Sequence, residues 1–256
     1  MRFVVGDSQI NVNLPSERAL LDELEARFAS GRGFALATLN LDHLVKLRTD
    51  NAFQEAYAAQ DLVTADGNPV VWLSRIAGAP VDLLPGSDLV RPVLRLAARH
   101  RVPVAFLGST EPSLARAADA LSAEIPGLDI RACVAPPMGF DPTGPEAQRI
   151  LDDLASRDVR LLLLALGAPK QELLAALGRS RVPAMGFLSI GAGLDFISGT
   201  QRRAPAWVRR LALEWLWRAL GQPRRLAARY ARCALILPGH ALRAWAQGRR
   251  PRPRSP

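Results

Sequence analysis

Short apolar stretches alternate with longer amphipathic stretches along the first 195 residues. The stretches 102–107, 159–166 and 184–190 are apolar at nearly every position, which is typical of strands buried on both faces of a parallel sheet. Segments between them, such as 16–30, carry apolar residues at helical spacing. This alternation predicts an α/β fold, with a Rossmann-like, mostly parallel sheet and helices on both of its faces.

The pattern changes after residue 195. Trp207, Leu211 and Trp215 are spaced four residues apart and predict one amphipathic helix, and Pro223 begins a second that is expected to end at Pro238-Gly239. We therefore expect three parts: an α/β core at 1–195, a basic amphipathic helical appendage at 196–247 that faces a membrane, and a disordered tail at 248–256.

The formal net charge of +9 comes from this last part of the chain. Residues 196–256 hold 14 arginines and one acid, Glu214, whereas the first 195 residues carry a small excess of acids. Four of the five tryptophans lie in the same part. Arginine together with tryptophan is typical of a surface that meets an anionic membrane or a nucleic acid. The same pattern also fits helices that pack on the core with their arginines in solvent.

Composition narrows the class of protein further. Cys133 and Cys233 lie 100 positions apart and form neither a metal motif nor a disulfide framework, which indicates a reducing compartment. The three histidines are scattered, so no metal site is expected. The chain shows no signal peptide, and its apolar runs are shorter than the roughly 20 residues of a spanning helix. We expect a soluble or peripheral cytoplasmic protein.

Polar residues or glycines follow four of the predicted strands. The clusters are Thr38 with Asn40, Asp66 with Gly67, Gly108 with Ser109, and Gly191 with Gly193. Because ligands bind outside the carboxyl ends of the strands in open α/β sheets, we expect these clusters to converge on one site. A carboxylate at such an end is a candidate catalytic base, and Asp66 occupies that position. Asp-Gly is also good turn chemistry, which is the simpler interpretation.

Two segments at the strand ends are candidates for binding a ligand. The Gly191–Gly193 turn can present backbone N–H groups to a phosphate, or it can be a plain tight turn. The segment 167–172 offers Lys170 and Gln171 to a nucleotide or a sugar, or it only starts a helix. The chain has neither a Walker loop nor a serine nucleophile elbow.

Seven motifs follow one another in a fixed order along the chain. They are Thr38-Leu-Asn40-Leu-Asp-His, Ala65-Asp66-Gly67, Gly86-Ser-Asp88-Leu, Phe106-Leu-Gly108-Ser, Leu166-Gly-Ala-Pro-Lys-Gln-Glu172, Gly191-Ala-Gly193 and the block from Arg203-Ala-Pro to Leu-Glu214-Trp-Leu-Trp-Arg218. The ordered set resembles the WecG/TagA/CpsF glycosyltransferases (glycosyltransferase family twenty-six) over roughly residues 3–232. The last block is its most specific part.

The resemblance implies an inverting, metal-independent transferase on the inner face of the cell membrane. Such an enzyme moves a sugar from a UDP-sugar to an undecaprenyl-diphosphate-linked sugar. Typical members transfer N-acetylmannosamine onto lipid-linked N-acetylglucosamine, and others transfer glucose or a similar sugar. The implied partners are the UDP-sugar donor, the polyprenyl-diphosphate-linked acceptor, anionic inner-leaflet lipid and a second copy of the chain. No cofactor is implied.

The resemblance also implies roles for single residues. Asp66 would be the general base that deprotonates the acceptor hydroxyl. Arginines of the appendage would bind the diphosphate, and we select Arg209, Arg218 and Arg225. The substrates would be bound by Thr38, Asn40, Gly67, Gly108, Gln171, Gly191 and Gly193.

The chain departs from the family pattern at Leu83-Leu84, where an arginine is common, and at Asn68-Pro69. Two alternatives therefore stay open. One is an inactive scaffold subunit, which the intact Asp66 argues against. The other is a nucleic-acid-binding α/β protein with a basic tail, which would bind DNA with a steep salt dependence. The mildly acidic core argues against the second.

Overall fold

The computed structural model describes residues 1–5, 8–205, 207–208, 211–221 and 223–249, and at 8, 218–221, 223 and 225 it describes only the backbone. The strands are β1 (Arg2–Val5), β2 (Ser8–Asn11), β3 (Phe34–Leu39), β4 (Leu62–Ala65), β5 (Val104–Gly108), β6 (Ile130–Val134), β7 (Leu161–Ala165) and β8 (Gly186–Ser189). The helices are α1 (Glu17–Ser30), α2 (Leu41–Lys46), α3 (Asn51–Ala58), α4 (Asn68–Ile76), α5 (Gly86–Arg99), α6 (Glu111–Glu124), α7 (Pro145–Ser156), α8 (Lys170–Arg181), α9 (Gly193–Ile197), α10 (Glu214–Gly221) and α11 (Pro223–Gly248).

Within these residues, six strands form one sheet in the order β4-β3-β8-β7-β5-β6. Every neighbouring pair is parallel, so all six carboxyl ends lie at one edge. The chain leads outward from β3 to β4 on one side and from β5 to β6 on the other. The direction of winding therefore reverses between them, which is where α/β sheets of this kind bind ligands.

Both faces of the sheet are buried. Leu161 and Leu163 of β7 lie in the core beneath α1, α5 and α6, whereas Leu162 and Leu164 lie in the core beneath α7 and α8. Successive residues of a strand point to opposite faces, so an uninterrupted apolar run supplies both cores at once. The predicted parallel sheet with helices on both faces is confirmed.

The strands β1 and β2 form an antiparallel hairpin outside the main sheet. The apolar pattern of the sequence does not reveal β2, because this strand is short and polar apart from Ile10. Phe3 and Ile10 are both buried, in a third core that α2, α3 and α4 share. The hairpin therefore covers the end of the sheet at β4 and β3.

The helix α11 packs against α2 and α4. Its buried positions include Cys233, Ile236, His240 and Ala244, which recur at helical spacing along one face. The expected end at Pro238-Gly239 is wrong, because α11 continues through Pro238 to Gly248. Pro238 itself lies on the exposed side of the helix. Ile236 and His240, on either side of it in the sequence, are buried against the core.

The end of α11 also binds the outer edge of the hairpin. Arg243 Nη1 donates to the carbonyl of Val4 at 3.2 Å, and Gln247 Nε2 donates to the carbonyl of Arg2 at 2.7 Å. The imidazole of His240 packs edge-on against the ring of Phe3, with the ring centroids 5.9 Å apart. Side chains of the last helix thus serve as hydrogen-bond donors for the first strand.

The surface of the appendage that faces away from the core carries exposed apolar side chains. Leu235 is 79% exposed and Leu242 70% exposed on α11, although the other side of this helix is buried. Four tryptophans of the same region are 43–62% exposed: Trp207, Trp215, Trp217 and Trp245. Among the described residues, no helix combines the length and the apolar character that crossing a bilayer requires.

Candidate active site

Asp66 and Asn40 meet at the carboxyl ends of two neighbouring strands. Asp66 directly follows β4, and its N–H extends the sheet by donating to the carbonyl of Leu39 at 2.8 Å. Asn40 follows β3, and its Nδ2 donates to Asp66 Oδ2 at 3.3 Å. The sheet therefore brings the carboxylate of Asp66, the predicted base, into direct contact with the side-chain amide of Asn40.

Asn40 is the N-cap residue of α2. Its Oδ1 accepts a hydrogen bond from the N–H of His43 at 3.0 Å, as cap side chains do in the first turn of a helix. This contact identifies the amide oxygen, so the amide nitrogen is the atom that faces Asp66. The cap thus sets the direction in which the side chain of Asn40 presents its N–H groups.

Two residues that the sequence analysis missed lie behind Asn40. His43 Nε2 is 3.3 Å from Asn40 Nδ2, and His43 Nδ1 is 3.0 Å from the hydroxyl of Tyr57. Both side chains are buried. Burial, with the charge of Lys46 adding to it, lowers the pKa of His43 to about 3. The spacing of Asn40 and His43 in the sequence is a capping signal, but nothing local points to Tyr57.

Thr38 and Gly67 flank this contact. Thr38 is buried in β3, and its carbonyl oxygen accepts a hydrogen bond from the hydroxyl of Tyr57 at 2.9 Å. Gly67 is the N-cap residue of α4, so the chain enters a helix directly after Asp66. Gly67 is therefore next to Asp66 along the chain, whereas Thr38 pairs in the sheet with Thr64, two residues before Asp66.

Gln171 and Gly191 contact each other at the end of β7 and β8. Gln171 Oε1 accepts the N–H of Gly191 at 3.1 Å, and its Nε2 donates to Glu172 Oε1 at 2.9 Å. Gln171 is only 4% exposed. The amide of Gln171 therefore holds the Gly191 turn, and the N–H of Gly191 that was expected to face a phosphate has a protein acceptor.

Glu172, which follows Gln171, is a fully buried carboxyl group. Its Oε2 has no hydrogen-bond partner among the described residues. Burial raises the pKa of Glu172 to about 7, although the N–H of Gln171 and the charge of Lys46 act in the opposite direction. The sequence analysis assigned this residue only to the start of a helix.

Gly108 and Gly193 lie farther along the carboxyl edge. Gly193 is buried at the start of α9, directly after β8. Gly108 ends β5, four strands from β4, which corresponds to roughly 19 Å at the usual strand spacing. A Cβ at Gly108 would lie 2.3 Å from the carbonyl oxygen of Ala165, so the packing of two strands accounts for this glycine.

Arg203 approaches the site from the start of the appendage. Its Nη1 forms an ion pair with Asp88 in the first turn of α5. Burial lowers the pKa of Arg203, but the hydrogen bond and charge of Asp88 and the charges of Glu214 and Asp66 raise it by more. Arg203, which the sequence analysis did not select, therefore lies close enough to Asp66 for the charge of that residue to act on it.

The arginines that the sequence analysis did select cannot be placed at the site. Arg209 lies outside the described residues, and so do the side chains of Arg218 and Arg225. Arg229, next along α11, has its Nε 3.2 Å from Asp42 Oδ1 of α2, in an ionic contact rather than an aligned hydrogen bond. This contact fixes α11 beside the helix that carries Asn40 and His43.

Leu84 occupies a structural position beside the base. Its N–H donates to the carbonyl of Ala65 at 2.8 Å, and its carbonyl accepts the hydroxyl of Thr64 at 3.0 Å. The side chain of Leu84 is buried in the core, whereas Leu83 is 39% exposed. Within the described residues, no group of three or more His, Cys, Asp or Glu side chains is arranged to hold a metal ion.

Comparison with known proteins finds the same family that the seven sequence motifs resemble. The model of the glycosyl transferase WecG/TagA/CpsF family matches residues 7–254. The chain is 26% identical over 196 residues to the N-acetylglucosaminyldiphosphoundecaprenol N-acetyl-beta-D-mannosaminyltransferase of Bacillus spizizenii, covering 76% of this chain and 74% of that protein.

The Bacillus subtilis (strain 168) protein of the same name is 24% identical over 217 residues, which cover 84% of this chain and 81% of that protein. The family match spans nearly the whole chain, from the hairpin through the sheet and the appendage. The chain therefore belongs to the WecG/TagA/CpsF family and is a glycosyltransferase.

Proposed function

We propose that this enzyme transfers a sugar of the N-acetylmannosamine or glucose type from a UDP-sugar to a polyprenyl-diphosphate-linked sugar. The names of the two relatives support the lipid-linked acceptor, since both describe a transferase acting on N-acetylglucosaminyldiphosphoundecaprenol. The contact between Asn40 and Asp66 at the carboxyl edge is the observation that carries the mechanism.

In the proposed reaction, the acceptor hydroxyl attacks the anomeric carbon of the donor sugar. Asp66 takes the hydroxyl proton, a new C–O bond forms, and the bond from the anomeric carbon to the UDP oxygen breaks with its electron pair. Attack from the side opposite the leaving group inverts the anomeric configuration. A positioned base of this kind contributes about 10²–10⁴-fold to the rate.

The departing diphosphate needs positive charge, and the proposed reaction takes it from arginines rather than from a metal ion. Arginine forks bind phosphate oxygens through paired hydrogen bonds. Arg203 is the described candidate, because Asp88 holds it at the site and the charge of Asp66 acts on it. Arg209, Arg218 and Arg225 remain candidates for the same role.

We further propose that the enzyme acts as a peripheral protein on the inner face of the cell membrane. The exposed Leu235, Leu242 and Trp245 of α11 share a surface with arginines that include Arg232 and Arg243. Apolar side chains that enter the headgroup region and arginines that meet anionic lipid favour binding of such a helix parallel to the membrane.

The test is acceptor-dependent release of UDP from a panel of UDP-sugars, measured with chelator present. The acceptor is a lipid-diphosphate-linked N-acetylglucosamine. We expect release from one donor to survive the chelator and to fall about 10²–10⁴-fold in Asp66→Asn. The same substitution at the exposed Asp82 is the matched control and should leave the rate unchanged.

Three outcomes contradict parts of this proposal. Wild-type rates in Asp66→Asn would remove this residue from the mechanism. Loss of activity on adding the chelator would contradict metal independence. Release of UDP from no donor, with a folded protein, would indicate a different acceptor or a scaffold.

A further inference from the structure

We propose that His43 and Tyr57 are positioning residues for the reaction, because a chain of hydrogen bonds with a single direction leads from Asn40 through both of them to the carbonyl of Thr38. The chain fixes the amide of Asn40 so that its N–H stays on Asp66. This inference rests on the proposed role of Asp66 as the base.

The direction of the chain follows from the atoms at its two ends. The amide oxygen of Asn40 is taken by the N–H of His43 at 3.0 Å, so the Nδ2 group faces both Asp66 Oδ2 and His43 Nε2, each at 3.3 Å. An amide nitrogen only donates. His43 Nε2 must therefore accept, which leaves the single proton of the neutral ring on Nδ1.

The other end of the chain agrees with this tautomer. The hydroxyl of Tyr57 donates to the carbonyl of Thr38 at 2.9 Å, and a hydroxyl has only one proton to give. The oxygen of Tyr57 is then the acceptor for the Nδ1–H of His43 at 3.0 Å. Every proton in the series Asn40, His43, Tyr57 therefore has an acceptor, and the backbone carbonyl of Thr38, where the series ends, also acts on the His43 ring.

The surrounding packing holds the imidazole in this orientation. His43 is 5% exposed and Tyr57 2% exposed. The rings of His43, Phe53 and Tyr57 pack edge to face, with centroid separations between 5.2 and 5.9 Å. A half-turn of the imidazole would present ring carbons to both partners. The charged groups that act on this pair are Lys46 and Asp42 of α2, Arg229 of α11, Glu172 of α8 and Asp66 itself.

The consequence for Asp66 is geometric. If His43 presented an N–H to Asn40, two donors would face each other and the amide would turn. The turned amide would put its oxygen against the carboxylate of Asp66 in place of an N–H. A hydrogen bond donated to a carboxylate favours the charged form, which is the form that a base needs. The buried pair therefore keeps Asp66 both oriented and charged.

Two substitutions at His43 separate this role from simple packing. Glutamine can place an acceptor oxygen close to the position of Nε2, whereas leucine has similar volume and no acceptor. We expect His43→Leu to lower kcat about 10²-fold, the usual size of a misplacement effect, with KM changed less than 3-fold. The acid limb of the kcat/KM profile should move to higher pH. His43→Gln should recover to within about 10-fold of wild type.

A measurement on the unmodified enzyme tests the chain without using activity. Long-range proton–nitrogen correlation spectra of the three histidines should show one ring protonated at Nδ1 and unprotonated at Nε2, and this ring should disappear in His43→Gln. In Tyr57→Phe the same resonance should shift, whereas in Tyr230→Phe, the control, it should not.

A His43 ring protonated at Nε2 would overturn the inference, whatever the kinetics show. So would a folded His43→Leu enzyme with wild-type kcat and an unmoved acid limb, or a His43→Gln enzyme as slow as His43→Leu. Failure of the proposed function gives a different pattern. In that case Asp66→Asn keeps its activity while the Nδ1–H tautomer of His43 is still observed.

Discussion

Replacing Glu172 with glutamine is expected to change how the stability of the protein depends on pH. Glu172 is fully buried in the first turn of α8, and its Oε2 has no hydrogen-bond partner among the described residues. Burial raises the pKa of this carboxyl from 4.5 to about 7. The folded protein therefore keeps a proton on Glu172 at pH values where the unfolded chain has lost it.

The sign and size of the effect follow from this difference in proton binding. Between pH 4.5 and about 7 the unfolded state binds fewer protons than the folded state, so the free energy of unfolding falls as pH rises. The slope is about 1.4 kcal/mol per pH unit for one proton. Over the whole interval the loss reaches about 3 kcal/mol and then stays constant.

His43 works in the opposite direction. Its pKa is lowered from 6.5 to about 3, mainly by burial, so the unfolded state binds one proton more than the folded state over that interval. This contribution makes the free energy of unfolding rise with pH by the same slope. The two contributions oppose each other between pH 4.5 and 6.5. Glu172→Gln should remove the falling contribution and leave the rising one, to which His240 adds because burial lowers its pKa as well.

The assay is unfolding in guanidinium chloride followed by tryptophan fluorescence, for wild type and Glu172→Gln, at several pH values from 4.5 to 8. The free energy of the variant relative to wild type should rise by about 3 kcal/mol from pH 4.5 to 7 and then level off. Because other titrating groups cancel in this difference, its slope is the quantity to test. Glu111→Gln at the exposed first turn of α6 is the control. A difference that is the same at pH 5 and pH 7.5 would refute the argument.

Two further predictions concern glycine packing and the diphosphate. Gly86→Ala should lower the free energy of unfolding by about 1–3 kcal/mol, because the new Cβ would lie 2.6 Å from the backbone oxygen of Ser189. Gly239→Ala should raise the free energy of unfolding by about 0.5–1 kcal/mol, because nothing lies within 4 Å of the new Cβ and alanine favours the helix. Both variants are measured in the same denaturation experiment, and equal effects at the two sites would contradict this prediction. Arg203→Gln should lower kcat about 10²-fold in the UDP-release assay while the exposed Arg202→Gln does not, and equal rates would remove Arg203 from the site.

Much of the fold could be predicted from the sequence because its signals are local. Continuous apolar runs such as 161–166 mark strands that are buried on both faces. Ser16 caps α1, as its residue type suggests. Asp66 could be selected because its place after a strand is enough to put it at the carboxyl edge. The hairpin strand β2 was missed because one apolar residue in four positions gives no alternation to detect.

The appendage shows where local signals fail. Pro238 removes one backbone donor and normally ends a helix. Here Ile236 and His240 are buried on either side of it, and this packing against the core outweighs the local preference. The spacing of Trp207, Leu211 and Trp215 predicts one continuous helix, but residues 211–213 are non-helical and α10 begins at Glu214.

The partners of the site residues were the least predictable part. Tyr57 reaches Thr38 and His43 only because α3 folds back over the end of β3, at a separation of 14–19 residues along the chain. Arg203 and Asp88 are 115 residues apart. Such pairs depend on the order of strands in the sheet, and no spacing within the sequence encodes that order.

The hydrogen bonds from α11 to β1 make the first and last segments of the chain parts of one unit. Carbonyl groups along the outer edge of β1 are capped by Arg243 and Gln247, so an event that lifts α11 from the core also uncovers an edge strand. The two segments should consequently unfold and refold together as one local cooperative unit, separate from the central sheet. A substitution that detaches α11 should then also loosen β1, although the two segments lie at opposite ends of the sequence.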